Sequence, residues 1–150
     1  MRVVIQRVDR AEVTIDNAIR RKIKKGIVIF IGIEDRDNSD DIDWLCNKVS
    51  KLRIFNDEKG IMNWSVNEIS GEVMVISQFT LHASTKKGNR PSYIKSSKPE
   101  TAIPMYEKFL ESLKKVIDKK VVSGEFGAHM EVELVNNGPV TILVDSKNRE

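Results

Sequence analysis

The chain has 150 residues, 40% of them hydrophobic and 31% charged, with a formal net charge of +3. That size and mixture fit one globular domain with one core and exclude a disordered or fibrous chain. The longest apolar run, residues 26–33, is too short to cross a bilayer. The opening Met1-Arg2-Val3-Val4-Ile5-Gln6-Arg7 lacks a signal peptide's apolar stretch, and a lone Cys46 cannot close an intrachain disulfide, so the expectation is a soluble, cytoplasmic protein with no membrane partner.

The first half reads mainly as strands. Residues 3–8 and 11–15 mix β-branched with polar side chains and predict two strands, followed by turn chemistry at Asp16-Asn17. Residues 26–33 are continuously apolar and β-branched, which predicts a strand buried on both faces. A polar loop follows. Ser39 is the expected cap of a first helix, with Asp40 and Asp41 complementing its positive end. Ile42, Leu45, Cys46, Val49 and Leu52 recur at helical spacing and give that helix one apolar face. Residues 53–55 suggest a short strand ended by a turn over 56–60, and residues 72–78 a further strand after Gly71.

Between His82 and Lys98 stand five basic residues, Lys86, Lys87, Arg90, Lys95 and Lys98, and no acidic one. Gly88, Pro91, Tyr93 and several serines make the segment a loop. A cationic loop with an aromatic suits phosphate contact and base stacking; on charge alone, a solvated lysine-rich loop is the simpler reading. A second amphipathic helix is expected to start near Pro99 or Thr101, with Ile103, Tyr106, Phe109, Leu110, Leu113, Val116 and Ile117 as its buried stripe. Pro104 requires a start close by, since proline is tolerated only near a helix's first turn. Gly124 and Gly127 bracket a loop. Two last strands, residues 130–135 and 140–144, are expected to join through Asn136-Asn137-Gly138-Pro139. No repeat, linker or domain boundary is visible, so the chain reads as one compact domain. Two helices against many strands predict an α+β fold whose antiparallel sheet curls towards a barrel.

The usual catalytic constellations are missing. His82 and His129 have no partner at metal-ligand spacing, and no nucleophile elbow, phosphate loop or dinucleotide fingerprint occurs. Neither a metal nor a cofactor is called for. Cys46, on a helix's apolar face, reads as an inert buried thiol, and Glu131 and Glu133 as the solvent side of a strand. Two polar clusters remain. Ser77-Gln78-Phe79-Thr80-Leu81 ends an apolar strand, where hydroxyls, an amide and backbone N–H groups could surround a small ligand; ordinary strand-end polarity explains it equally well. Asn136-Asn137-Gly138-Pro139-Val140-Thr141 is either a hairpin turn or, with a cis bond before proline, a rigid pair of carbonyl acceptors.

Ser77-Gln78-Phe79-Thr80 and Asn136-x-Gly138-Pro139-Val140-Thr141 together resemble the two signature motifs of the D-aminoacyl-tRNA deacylases. Ile5-Gln6-Arg7-Val8, Leu52-Arg53-Ile54-Phe55 and Gly88-x-Arg90-Pro91-Ser92 are also similar to that family, collinearly over nearly the whole chain. The resemblance implies a homodimer with its site at the subunit interface. Ser77, Gln78, Phe79 and Thr80 of one subunit would receive the aminoacylated tRNA terminus. Gly138 and Pro139 of the other, joined by a cis bond, would reject L-amino acids and admit D-amino acids and glycine. Arg7, with Gln6, would brace that loop, Phe126 and Met130 would line the adenosine end, and Lys86, Lys87 and Arg90 would contact the tRNA backbone. Catalysis would then rest on the tRNA's own terminal ribose hydroxyl; the alternatives are Thr80 as a covalent nucleophile, or a non-enzymatic dimeric RNA-binding module.

Overall fold

A computed structural model describes residues 1–149. Strands β1 (Arg2–Ile15), β2 (Ile19–Ile23), β3 (Gly26–Gly32), β6 (Glu72–Ser77), β7 (Val121–Ser123) and β8 (Met130–Asp145) form one sheet. Helices α1 (Ser39–Lys51) and α2 (Pro99–Val116) cover one of its faces, and β4 (Phe55–Asn56) pairs with β5 (Met62–Trp64) separately. The sheet order is β2-β1-β3-β6-β7, with β8 on the other side of β1. The expected α+β class is observed. The sheet is mixed, however, because β3–β6 and β6–β7 pair in parallel.

The sheet has two apolar faces, which explains the unbroken run in β3. Ile27, Ile29 and Ile31, with Val73 and Val75 of β6, pack against Leu45, Val49, Tyr106, Phe109 and Leu113 of the helices. Val28, Met74 and Ile76 point the other way, joining Val8, Ala11, Val13, Ile15 and Ile23 inside a curled sheet. Successive strand residues face opposite sides, so a strand between two cores must be apolar at every position. The curl nearly closes through side chains: Arg21 on β2 donates to the Ser123 carbonyl at the end of β7, and Lys120 Nζ to the Lys22 carbonyl at 2.8 Å.

Four expectations are corrected. Residues 3–8 and 11–15 belong to one strand, β1, bent at Asp9 and Arg10, where both side chains face solvent and the pairing with β8 shifts register. Likewise residues 136–139 make no hairpin; they lie within the single 16-residue strand β8. In α2, Ala102 is buried while Ile103 is 36% exposed. With 3.6 residues per turn, the line through Tyr106, Phe109 and Leu113 runs over Ala102 and leaves Ile103 roughly 90° away. Finally, the α1 cap is Asn38, not Ser39.

The cap is a reciprocal one. Asn38 Oδ1 accepts from the N–H groups of Asp40 (2.9 Å) and Asp41 (3.3 Å), and Asp41 Oδ2 accepts from Asn38 N–H at 2.9 Å. Ser39 Oγ instead accepts from Lys108 Nζ. Burial works to raise the Asp41 carboxyl, but hydrogen bonds from Lys147, Ser146 and the Asn38 backbone outweigh it and hold the pKa low. Asn38→Ala is expected to cost about 0.5–2 kcal/mol of unfolding free energy, and Ser39→Ala less than about 0.5, read from urea midpoints at constant m. A larger loss from Ser39→Ala than from Asn38→Ala would return the capping role to Ser39.

Candidate active site

The parallel strands β3, β6 and β7 run in the same direction, so their carboxyl ends share one side of the sheet. A small cavity of about 80 Å³ opens there. It is bounded by Ile31 and Ile33 from the end of β3, by Ser77, Gln78 and Phe79 from the end of β6, and by Phe126 and Gly127 after β7. Ser97 and Ala102 close it from the α2 side. In open α/β sheets ligands bind outside the carboxyl ends of the parallel strands, and this cavity lies at the corresponding end.

The chain leaves β6 through Gln78, whose N–H donates to Ile31 O at 2.7 Å, and enters a 3-10 turn, Phe79–His82. That turn's first bond runs from Leu81 N–H to Gln78 O at 3.2 Å. The N–H groups of Phe79 and Thr80 precede it and have no acceptor within the turn, as at any helix start. Gln78 Nε2 donates to Thr80 Oγ1 at 2.6 Å. Thr80 therefore sits beside an amide, which in either orientation is no base.

Gly138 and Pro139 occupy a wide bulge. Gln6 pairs with Thr141 and Val8 with Asn136, so residues 137–140 stand opposite Arg7 alone. The Gly138-Pro139 bond is cis, and both residues are exposed. Arg7 lies beneath the bulge, 7% exposed. Its Nε donates to Asn137 O at 3.1 Å, and its Nη1 to Ile54 O at 2.6 Å and Asn56 Oδ1 at 3.4 Å. A Cβ at Gly138 would come within 2.8 Å of Arg7 Nη2, and the residue's φ of +123° is one that L side chains rarely adopt. Gln6 Nε2 reaches Thr141 Oγ1 at 3.5 Å, a marginal contact.

The structure thus brings Ser77, Gln78, Phe79 and Phe126 to one cavity, and Arg7 to Gly138-Pro139. Within one chain the cavity wall includes neither Gly138 nor Pro139. Met130 does not line it either; it packs against Gly124, where a Cβ would lie 2.3 Å from the Met130 sulfur, and its side chain turns towards the inner core. Lys86, Lys87 and Arg90 are exposed on a separate loop. Burial pushes the Cys46 thiol up to about 12, leaving no thiolate at neutral pH.

Two buried polar groups beside the site escaped sequence reasoning. Ser97 Oγ and His82 Nε2 have no hydrogen-bond partner among the described residues. His82, the last residue of the 3-10 turn, packs against Gly32, where a Cβ would meet Gln78 O at 2.9 Å and His82 Cδ2 at 3.0 Å. Ser97 reads as one loop serine among several until α2 closes over it. Only tertiary packing marks either residue.

Comparison with known proteins identifies the family. The profile of the family described as D-Tyr-tRNA(Tyr) deacylase matches residues 4–145. The chain belongs to the D-Tyr-tRNA(Tyr) deacylase family. Proteins named D-aminoacyl-tRNA deacylase from Bacteroides fragilis and Flavobacterium johnsoniae are 61% and 59% identical, each over 100% of both chains. The solved structure of a c-Myc DNA Unwinding Element Binding Protein is 36% identical with a TM-score of 0.91, covering 97% of this chain and 98% of that one. A probable eukaryotic D-amino acid tRNA deacylase shares the fold at 16% identity, with a TM-score of 0.80 over 95% of this chain and 97% of that one.

One property of this deacylase-family chain follows from His82. Burial, helped by the N-terminal ammonium and Arg2, outweighs the Gly32 backbone bond and Glu34 and draws its imidazole below the ordinary 6.5. The folded protein holds it neutral, whereas the unfolded chain protonates near 6.5, so stability is full above that pH and falls as pH drops below it. The slope contributed is at most about 1.4 kcal/mol per pH unit. Urea unfolding between pH 8 and pH 5 should show a smaller loss for His82→Leu than for wild type. Parallel curves would mean that His82 is not held neutral.

Proposed function

We propose that this protein hydrolyses the ester bond of D-aminoacyl-tRNA, releasing free tRNA and the D-amino acid, and leaves L-aminoacyl-tRNA intact. The observation that carries the reading is full-length identity of 61% with a named D-aminoacyl-tRNA deacylase, in a chain whose Ser77, Gln78 and Phe79 line a small cavity and whose Phe79 and Thr80 N–H groups open the 3-10 turn that leaves it. Free backbone donors fixed beside a reacting carbonyl stabilise the oxyanion that water creates on it, an effect worth about 2.7–4 kcal/mol per donor in other enzymes. Water adds to the ester carbonyl, the bond to the ribose oxygen breaks, and a proton passes to that oxygen. The neighbouring ribose hydroxyl assists, which suits a cavity whose wall carries neither a histidine nor a thiol. Thr80 as a covalent nucleophile draws no support from its hydrogen bond, since the Gln78 amide beside its hydroxyl cannot take the proton.

Handedness is assigned to Gly138 and Pro139. Backbone atoms braced by Arg7 cannot rotate aside as a side chain can, so the wall excludes an L side chain whatever its chemistry. D side chains point away from it, and glycine, with nothing to clash, is also cleaved. The wall comes from a second subunit: Gly138 and Pro139 are exposed and absent from their own chain's cavity, and among the described residues β8 has one edge unpaired, with Leu143 65% exposed. The working form is a cytoplasmic homodimer, with Lys86, Lys87 and Arg90 on the tRNA backbone and Phe126 against the terminal adenosine. Met130 is left without a direct role there.

A second reading, a nucleic-acid-binding protein without catalysis, draws on the likeness to the c-Myc DNA Unwinding Element Binding Protein at 36% identity. Incubation with D- and L-tyrosyl-tRNA separates the two. Wild type should cleave the D-ester far faster than buffer does and spare the L-ester, and Thr80→Ala should retain measurable cleavage. Binding without cleavage would favour the second reading, and an aminoacyl adduct on Thr80 would make it the nucleophile.

The shared site has its own test. A Gln78→Ala pocket variant and a Pro139→Ala loop variant, each impaired alone, should regain activity when mixed under conditions of subunit exchange. Absence of rescue, with exchange confirmed, would place each site within one chain.

A further inference from the structure

The loop between the 3-10 turn and α2 is built as an arm. Ser84 and Ser92 close it with paired backbone bonds, Ser84 N–H to Ser92 O at 2.8 Å and the reverse at 2.9 Å. Its base is fastened twice. Ser96 Oγ donates to Phe79 O at 2.8 Å, and Ser97 N–H to Ile33 O at 2.9 Å. Between these anchors, Ser96 N–H donates to Tyr93 O at 2.9 Å, fixing the turn that carries Tyr93.

Tyr93 meets Phe79 edge to face, with ring centroids 5.1 Å apart and planes at 73°. Aromatic pairs of this geometry are ordinary in cores. This one is not in a core: Phe79 is 53% and Tyr93 41% exposed, and the adjoining Ile94 is 88% exposed. The pair stands at the lip of the cavity that Phe79 lines. Around it, residues 82–98 hold five basic side chains and no acidic one. Exposed rings held rigid beside unopposed positive charge offer what an unpaired nucleic-acid strand needs, faces for its bases and cations for its phosphates.

We infer that the Phe79–Tyr93 pair is a stacking platform for the unpaired nucleotides that lead to the esterified end of the substrate, with Tyr93 as its outer ring. The inference rests on the deacylase reading and adds a second contact surface outside the cavity. The two anchors at the base of the arm keep the ring in place before RNA arrives, so little conformational freedom is lost on binding. Stacking releases no counterions, so Tyr93 contributes affinity that salt does not remove, whereas the lysines contribute affinity that salt does.

The experiment compares D-tyrosyl-tRNA with 3′-O-D-tyrosyl-adenosine, which lacks the preceding nucleotides, using the full-length protein. In Tyr93→Ala, the ratio of kcat/KM for the tRNA to that for the adenosine ester should fall about five- to tenfold, the size expected for one lost base stack. The loss should lie in KM, and Tyr93→Trp should restore the ratio. The slope of log KM against log salt should stay at the wild-type value in Tyr93→Ala. It should flatten by roughly 0.7 per lost phosphate contact in the Lys86→Gln, Lys87→Gln double variant. Equal losses on both substrates would overturn the platform and make Tyr93 a support for Phe79. An unchanged ratio would also overturn it, as expected if the arm docks a protein. Uncharged tRNA, followed by fluorescence anisotropy, gives an independent reading should neither ester be cleaved: wild type must bind it about fivefold more tightly than Tyr93→Ala.

Discussion

The Arg7 guanidinium is the interaction on which the candidate site depends. It is almost wholly buried, and it donates to three groups from different parts of the chain: Asn137 O in the β8 bulge, Ile54 O, and Asn56 Oδ1 on β4. A buried guanidinium without acceptors is very costly, and a buried carbonyl left unpaired costs about 1–3 kcal/mol. The two requirements meet in one fork. Four residues of β8 can stand opposite one of β1 because that one residue is long enough, and rich enough in donors, to fill the space beneath them. A lysine there would be a single point charge on a flexible stem and could not hold the bulge in the same way.

The second constraint is the parallel direction of β3, β6 and β7. Antiparallel neighbours would send alternate strand ends to opposite sides of the sheet. Here three carboxyl ends arrive together, and the segments leaving them supply Ile33, the 3-10 turn and Phe126. The crossovers that parallel pairing requires are α1 with the β4–β5 ribbon, and α2. Those helices bury the outer face of the same strands. Core formation and site formation are therefore one event in this fold, and the close contacts awaiting any Cβ at Gly32 belong to both.

How much was legible in the sequence depended on the range of the signal. β3 could be recognised because burial on both faces demands an unbroken apolar run, and α1 because its spacing is local. β2, β5 and β7 were not foreseen; each has only three to five residues, too few for a period to show. The cap fell one residue early because Asn38 and Ser39 are both good caps. The choice was made by Lys108, which occupies the Ser39 hydroxyl, and by Asp41, which answers Asn38. The two polar motifs stood out by composition and resemblance, but whether residues 136–139 form a turn or a bulge depended on β1.

The sequence by itself determined the α+β class, the apolar faces of the helices and the central strand, and the two motifs that mark the family. Each is written in residues close together along the chain, where periodicity, turn chemistry and motif spacing operate. Only the tertiary structure decided that β8 is continuous and that Arg7 sits under its bulge. It alone joined Ser97, Ala102 and Phe126 to the end of β6, and left His82 Nε2 and Ser97 Oγ buried without a hydrogen-bond partner among the described residues. Those facts join residues from about 20 to 130 positions apart, and no local propensity reports them. They arise when two cores form on opposite faces of one sheet and fix which strand ends, and which side chains, come to lie together.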